Sequence, residues 1–463
     1  MPIDSSDSPR VLPPSPAARW LGPVAGVTTT LGSLLGTLSP CANAYQIVAS
    51  GGGSAVQEAS DNLFLTPGPH RGVWGQGFDA NADLEIASSN WESRLAAGFA
   101  SRWYLGESNL DYHNQQFSAA SQYRWSERST LGLAASYNLD STLTSLADAT
   151  SSIGYVFQRL RRRSRGLTPS WVYLLDEKTK LTTSYGFQDS VYEKSAASSG
   201  RVVDSTAHSG SLALEHQLTE RIGLSGIAAV SSSDLDFPQS IVSLPAVALV
   251  RGLPVTGTLS IRNGGIGTIR SESLSAGFRY DFSESLRLGF SGGVQFNQVA
   301  NASQISRFQP NSPQLAASTR RSAAAADTVS EILNADITKK LERGELGFRY
   351  SKSVSPNLLG TLLATDLYEF SGRYELGTRV SSTVKVALSE TSPDIGGAGK
   401  SGADTFQRSF LNVSAALTWK LTENLSLVSG YQYGHLELPF SDQQAQGHSA
   451  YLRVQYALDK YQF

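Results

Sequence analysis

Trp419-Lys420-Leu421-Thr422-Glu423-Asn424-Leu425-Ser426-Leu427 is one of six variants of a single pattern in this chain. The others run from Tyr123 to Leu131, Tyr173 to Leu181, His216 to Leu224, Tyr280 to Leu288 and, more loosely, Tyr374 to Ser382. Each places a ring, then an apolar residue two positions on, then three polar residues, and resumes an apolar alternation of the same parity. If Thr422 to Asn424 form a tight loop, Leu421 faces Leu425 and Trp419 faces Leu427, so one face stays apolar through the turn. Short turns edged with aromatic rings at one end of every hairpin are what a transmembrane β-barrel shows at its periplasmic rim.

Outward from these turns the alternation continues. Trp91, Leu95, Ala97, Phe99 and Trp103 share one face, while Glu92, Arg94 and Arg102 share the other. Leu274, Ala276, Phe278 and Tyr280 oppose Ser275, Gly277, Arg279 and Asp281, and Leu411 to Trp419 repeats the scheme. Runs of this length with one lipid-like face and one small, polar face fit a barrel better than a soluble sandwich. Longer stretches near 140–150, 193–206, 232–265, 300–328, 390–404 and 438–447 alternate with the tight turns, as extracellular loops would. Seven tight turns, the six repeats plus residues 341–344, join about fourteen strands; 91–105 before them and 449–463 after them make about sixteen. The expected fold is therefore all-β, a single antiparallel transmembrane barrel of about sixteen strands with both termini periplasmic. A hairpin within 73–88 would raise the number to eighteen.

Two stretches resist this scheme. Residues 323–343 have helical composition, and a loop helix followed by a strand is expected there. Residues 232–265 are too apolar for a freely solvated loop; they either fold into the lumen as a constriction or pack on the rim.

Domain boundaries follow from composition. Within residues 1–44, Arg10 and Arg19 precede a small, apolar stretch, and Ala42-Asn43-Ala44 has the form of a signal-peptidase site, so 1–44 reads as a signal peptide. Residues 45–70, Gly/Ser-rich and then bounded by prolines, read as a periplasmic lead segment. The barrel is assigned to 71–463. The single cysteine, Cys41, would leave with the signal peptide, which suits an oxidising compartment. A net charge of −2 and the lack of basic tracts interleaved with aromatics point away from nucleic acid. The slightly negative mean hydropathy does not argue against a membrane, because only every second strand residue of a barrel meets lipid.

The chain ends in an amphipathic strand closing on Tyr461 and Phe463. This ending resembles the signal that outer-membrane barrels present to their assembly machinery. Asp140-Ser-Thr-Leu143, Pro169-Ser-Trp171-Val-Tyr173, Val191-Tyr192-Glu193 and Tyr350-Ser-Lys-Ser-Val-Ser-Pro356 with Gly360 resemble the outer-membrane β-barrel proteins that accompany exopolysaccharide and exosortase loci of Gram-negative-type bacteria. The resemblance covers about 110–235 and 345–437. It implies a barrel in the outer membrane, contact with outer-membrane lipid and a link to polysaccharide export and its components, and it supplies no catalytic or binding residues.

No HExxH, G-x-S-x-G or P-loop is present, so no metal or other cofactor is expected, and the chain does not read as an enzyme. A barrel hydrolase built on His435, Asp442 and His448 is the third reading; solvated loop residues explain these three more simply. His216 occupies a ring position of the repeat and reads as interfacial. The arginines carry more information. At lumen parity stand Arg94, Arg102, Arg124, Arg279, Arg287, Arg349, Arg373, Lys385, Arg408, Lys420 and Arg453, against Glu92, Glu215, Asp281, Asp336, Glu369, Glu375 and Asp459. A basic surplus in a pore favours anionic solutes or an acidic polysaccharide; the alternative is that these cations pair with the acids and brace the wall. Arg159, Arg161, Arg162, Arg163 and Arg165 form the one dense basic run, expected as a bulge or an irregular segment near the rim, with a charge suited to acidic glycans or lipid phosphates. The leading expectation is an outer-membrane pore for anionic solutes; the second is a structural or adhesive scaffold acting through its outer loops.

Overall fold

The computed structural model describes residues 45–63, 65, 70, 72–141, 160–193, 204–250, 253–300, 304–310, 318–322, 325–356, 362–393, 407–439 and 442–462. The signal-peptide reading of 1–44, Arg159 and Phe463 lie outside them. All pairings are antiparallel, and among the described residues helical geometry is confined to 3-10 pieces, the turn Ser108–Leu110 and Pro439.

The wall consists of β1 (Gln46–Ser60), β2 (Val73–Ala87), β3 (Trp91–Tyr104), β4 (Tyr112–Ser126), β5 (Ser129–Ser141), β6 (Arg161–Leu174), β7 (Thr179–Tyr192), β8 (Asp204–Gln217), β9 (Ile222–Val250), β10 (Leu253–Ser283) and β11 (Leu286–Ala300). It continues, after two strands outside the wall, β12 (Gln304–Pro310) and β13 (Ser318–Ser322), with β14 (Ala325–Leu341), β15 (Gly344–Pro356), β16 (Leu362–Glu375), β17 (Val380–Pro393), β18 (Arg408–Lys420), β19 (Leu425–Leu438) and β20 (Gln443–Ala457). Each wall strand pairs with the next, β11 with β14, and β20 returns to β1, closing the barrel. A final short strand, β21 (Tyr461–Gln462), pairs with Val48 and Ala49 of β1, which places Tyr461 at the seam.

The closed barrel has 18 strands, so the leading expectation of sixteen is corrected and the alternative holds. The two additional strands come from 45–70 and 73–88. The first is not a periplasmic lead segment: Gln46–Ser60 is β1, paired along its length with β2. The second is one strand, not a hairpin. Gly51 to Gly53 hid β1, because glycine removes the alternation by which a strand is recognised.

The turns follow the repeat. Trp419 pairs with Leu427 as expected. The Leu421 and Thr422 amides donate to the Leu425 carbonyl at 2.9 and 3.1 Å. The fourth residue of the pattern caps the turn: Thr422 Oγ1 accepts from the Leu425 amide at 3.0 Å, Thr219 Oγ1 from Ile222 at 3.1 Å, Ser283 Oγ from Leu286 at 3.1 Å, and Asp176 Oδ1 from Lys178 at 2.7 Å. These hydrogen bonds hold Asp176 below the usual carboxylate range. All turns at this rim have two to four residues. Trp125, Phe282, Tyr374, Trp419 and Tyr456 stand exposed on the outer face just inside it, and His216 joins them, its Nδ1 2.9 Å from Thr179 Oγ1.

Residues 323–343 are not helical where described; Ala325–Leu341 is β14, held between β11 and β15. The basic run is not a bulge either: residues 161–165 are the first of β6, in register with β5 and β7.

The apolar 232–265 stretch is a hairpin. β8 reaches only to Asp236 of β9, and β11 only to Thr268 of β10. Beyond those points β9 and β10 continue pairing with each other up to Val250 and Leu253, with one register shift between Asn263 and Gly265. β12 then pairs with β10, and β13 with β12. The result is a four-stranded extension leaving the loop end of the wall.

The lumen as the candidate functional site

Parity in the wall sorts every side chain. Outside stand Phe78, Phe117, Leu133, Leu167, Leu214, Phe278, Phe348 and Leu452, all more than a third exposed to the surroundings. An apolar exterior edged with rings is the dress of a barrel in lipid. Wall strands of about 14 residues rise roughly 45 Å along their length, enough after tilting to cross the hydrocarbon band. This is an outer-membrane β-barrel. Barrels of this strand number enclose an aqueous channel when nothing fills them.

The eleven expected lumen cations all take inward parity, but their surroundings differ. Arg102 is buried across Gly77, where a Cβ would strike its side chain. Its guanidinium reaches Asp79 at 2.6 Å and Glu58 at 3.7 Å, and Arg453 reaches Asp79 at 3.8 Å. Tyr104 donates to Glu58 at 2.6 Å and Ser54 to Asp79 at 3.0 Å. Arg94 pairs with Asp83 at 3.0 Å, Arg287 with Asp281 at 2.8 Å, Arg279 with the same carboxylate at 3.8 Å, and Lys385 with Glu369 at 2.9 Å. Among the described residues Arg124, Arg349, Arg373 and Lys420 make no ion pair.

The expected basic surplus is therefore smaller than the sequence suggested. Glu58, Asp79, Asp83 and Glu85 belong to the two strands that were missed, and each lies at lumen parity beside an arginine. Of the described residues of the basic run, Arg162 alone turns inward, bonded to Asp140 at 2.5 Å; Arg161, Arg163 and Arg165 take the outward parity of Leu167 and Trp171.

The wall from β15 to β18 keeps an open recess of about 520 Å³ lined by Glu345, Arg373, Thr383, Lys385, Ser414 and Tyr451. Tyr451 lies flat over Gly430, whose missing side chain makes its place, with Arg453 over its ring at 5.6 Å. A second recess of about 310 Å³ has Ser136, Asn138, Ser164, Thr168, Gln188 and Ser209 on its walls, with Arg165 among its lining residues.

At the loop end the lumen narrows in two places that the sequence did not disclose. β15 pairs with β14 only up to Lys352, while its pairing with β16 runs on to Pro356. Above that point Val354 and Leu362 pack with Leu235, Ile269 and Val299 at lumen parity of β9, β10 and β11, and Gln295 donates to the Val354 carbonyl at 3.2 Å. Opposite, Leu65 of the 61–72 loop, in the left-handed region at φ 50°, rests where side chains on Gly434 and Gly447 would be. Asn62 fixes that loop by donating to the Gln446 carbonyl at 2.9 Å. Proximity across the barrel wall, not sequence pattern, brings these groups together.

The histidines form no common acid–base group. His435 pairs with Glu437 at 3.1 Å, His448 with the Tyr431 hydroxyl at 2.6 Å, and both take outward parity. Ser101 lies 2.6 Å from His113 Nδ1, but it is 0% exposed and offers no nucleophile to a substrate.

No protein-family model matches the sequence, and no curated protein matches it. Among solved structures, the ferric-catecholate import receptor Fiu from E. coli is similar over 90% of this chain and 82% of its own, at 9% identity and a TM-score of 0.47. The siderophore receptor PiuA from Acinetobacter baumannii gives 12% identity and 0.43 over 90% and 82%. OccAB3 from the same organism gives 11% and 0.41 over 90% and 99%. The barrel described above rests on its own pairings.

Proposed function

We propose that the protein is an outer-membrane channel for hydrophilic solutes, with a preference for anions set on one side of its wall. The observation that carries the channel is the polar, small-residue lumen of a closed barrel of porin size. The anion preference rests on Arg349 and Arg373, which lack ion-pair partners among the described residues and stand beside Lys385 on adjacent strands. Acids on these strands, Glu345 and Glu369, temper the field, so the preference is modest and weakens as salt screens it. An acidic exopolysaccharide is the solute class that fits both this wall and the resemblance of the sequence. The test is conductance in planar bilayers with a salt gradient. Wild type should pass anions in excess, and Arg349→Ser with Arg373→Ser should move the reversal potential toward the cation side without altering the folded band on gels. Equal reversal potentials would remove the anion preference, and the absence of any conductance would remove the channel.

A second reading is favoured by the four-stranded extension of β9, β10, β12 and β13. A sheet that leaves the wall and keeps pairing is a platform, and under this reading the barrel is its anchor.

A further inference from the structure

The basic run was expected to act as a unit, and the fold divides it. Arg161, Arg163 and Arg165 project outward from the first turns of β6, at the loop rim, on the face that carries Leu167 and Trp171 further down. At two residues per step their Cα atoms stand about 7 Å apart in a column along the strand. The inward side of the same segment is sealed: Arg162 is bonded to Asp140 at 2.9 and 2.5 Å, and Leu160 and Tyr192 form a buried pair behind it. The strand end cannot rotate its arginines into the lumen without breaking these contacts.

We propose that Arg161, Arg163 and Arg165 form a site for the phosphoryl groups of an outer-leaflet lipid headgroup. The argument is one of level and of charge. The site stands on the lipid-facing surface, directly above apolar side chains, so its neighbours in a membrane are headgroups and not channel contents. Elsewhere at this rim the outward charges are mostly carboxylates, Asp234, Asp236, Glu272, Glu331, Asp366 and Glu390, with Arg270 and Lys352 as single cations among them and Lys352 paired with Glu331 at 3.5 Å. On β6 three arginines follow one another at this parity. Arg163 has Leu139 and Val191 opposite on its two neighbours and makes no ion pair among the described residues. Glu193, whose amide donates to the Arg161 carbonyl at 2.8 Å, makes no ion pair with it either. Arg165 is oriented by Asp189 at 2.7 and 3.1 Å, through one carboxylate oxygen, which leaves donors of its guanidinium fork directed outward. Asp189 is in turn held by Thr206 at 3.4 Å. Guanidinium pairs on phosphate two contacts at a time, which a lysine cannot reproduce.

This inference rests on the outer-membrane reading, and the experiment separates the two. The full chain, folded in detergent, is challenged with bis-phosphorylated lipid A, with the same lipid stripped of phosphate, and with inorganic phosphate, and retained ligand is read by native mass spectrometry. Wild type should hold the phosphorylated lipid about tenfold more tightly than the stripped one, and inorganic phosphate should not compete at equal concentration. Arg161→Gln with Arg163→Gln should abolish the difference, and Arg161→Lys with Arg163→Lys should restore only part of it. Equal retention of both lipids by wild type would overturn the site, with no variant needed. Displacement by inorganic phosphate would overturn the lipid assignment. Failure of the wild-type chain to fold into a detergent-stable barrel would count against the membrane reading, a distinct result.

Discussion

Asp79 joins three strands of the lumen wall through a fourth: it is reached by Arg102 of β3, Ser54 of β1 and, at 3.8 Å, Arg453 of β20. Removing it leaves the buried Arg102 guanidinium without its shortest partner, a loss of about 3 kcal/mol. Asp79→Ala should therefore lower the temperature at which the folded gel band converts to the unfolded one, and Asp79→Asn should lower it less; identical conversion temperatures would show the cluster to be idle. The turn caps are smaller contributors. Thr422→Val removes the hydroxyl oxygen that accepts from the Asn424 and Leu425 amides and should cost about 1 kcal/mol in urea unfolding followed by tryptophan fluorescence. Asp176 titrates below its unfolded value, so its contribution is complete above the ordinary aspartate range and disappears as pH falls through its lowered pKa. Carboxyl NMR shifts should place its midpoint below the ordinary aspartate value, and a midpoint at that value would show the turn hydrogen bonds to have no hold on it. At this scale the sequence yielded the parity of all eleven lumen cations but not their company, since the partners of Arg102, Asp79 and Glu58, lie on two strands that the pattern did not disclose, and Asp79 meets Arg453 only through the closure of β20 on β1.

The strands that were legible are those with a ring, an apolar partner and a capped turn. β18 and β19 could be drawn residue against residue from Trp419 and Leu427. β1 was illegible because Ala49, Gly51, Gly53 and Ala55 give its outer face almost no side chain; in 323–343 the strand carrying Leu333, Ala335 and Ile337 outward is present, but the loop helix expected before it is strand as well where described, because β11 and β15 supply a ladder on either side of residues that favour a helix locally. The glycines of β1 are needed for closeness: a Cβ at Gly52 would lie 2.7 Å from the Tyr456 carbonyl of β20. Gly52→Val should cut the yield of folded barrel several-fold, whereas Gln57→Val, on an exposed position of the same strand, should not. Equal yields would mean that the close approach is not required.

Over the whole molecule, the even strand number and the division into a short-turn rim and a long-loop rim could be anticipated, while the number itself depended on recognising β1. The four-stranded extension decides between the two functional readings. Replacing residues 240–262 by a short Gly-Ser turn leaves every wall pairing intact. Unchanged conductance in bilayers would make the extension a platform, and altered conductance would make it part of the path. The closing pair adds a matter of timing. β1 finds β20 across nearly the whole length of the chain, so the last ladder to form has the largest loop to close. Until then β1 through β20 is a curled sheet with two bare margins, each able to recruit a foreign strand. A pulse of protease early in refolding should thus find this chain vulnerable for far longer than its individually short hairpins would suggest.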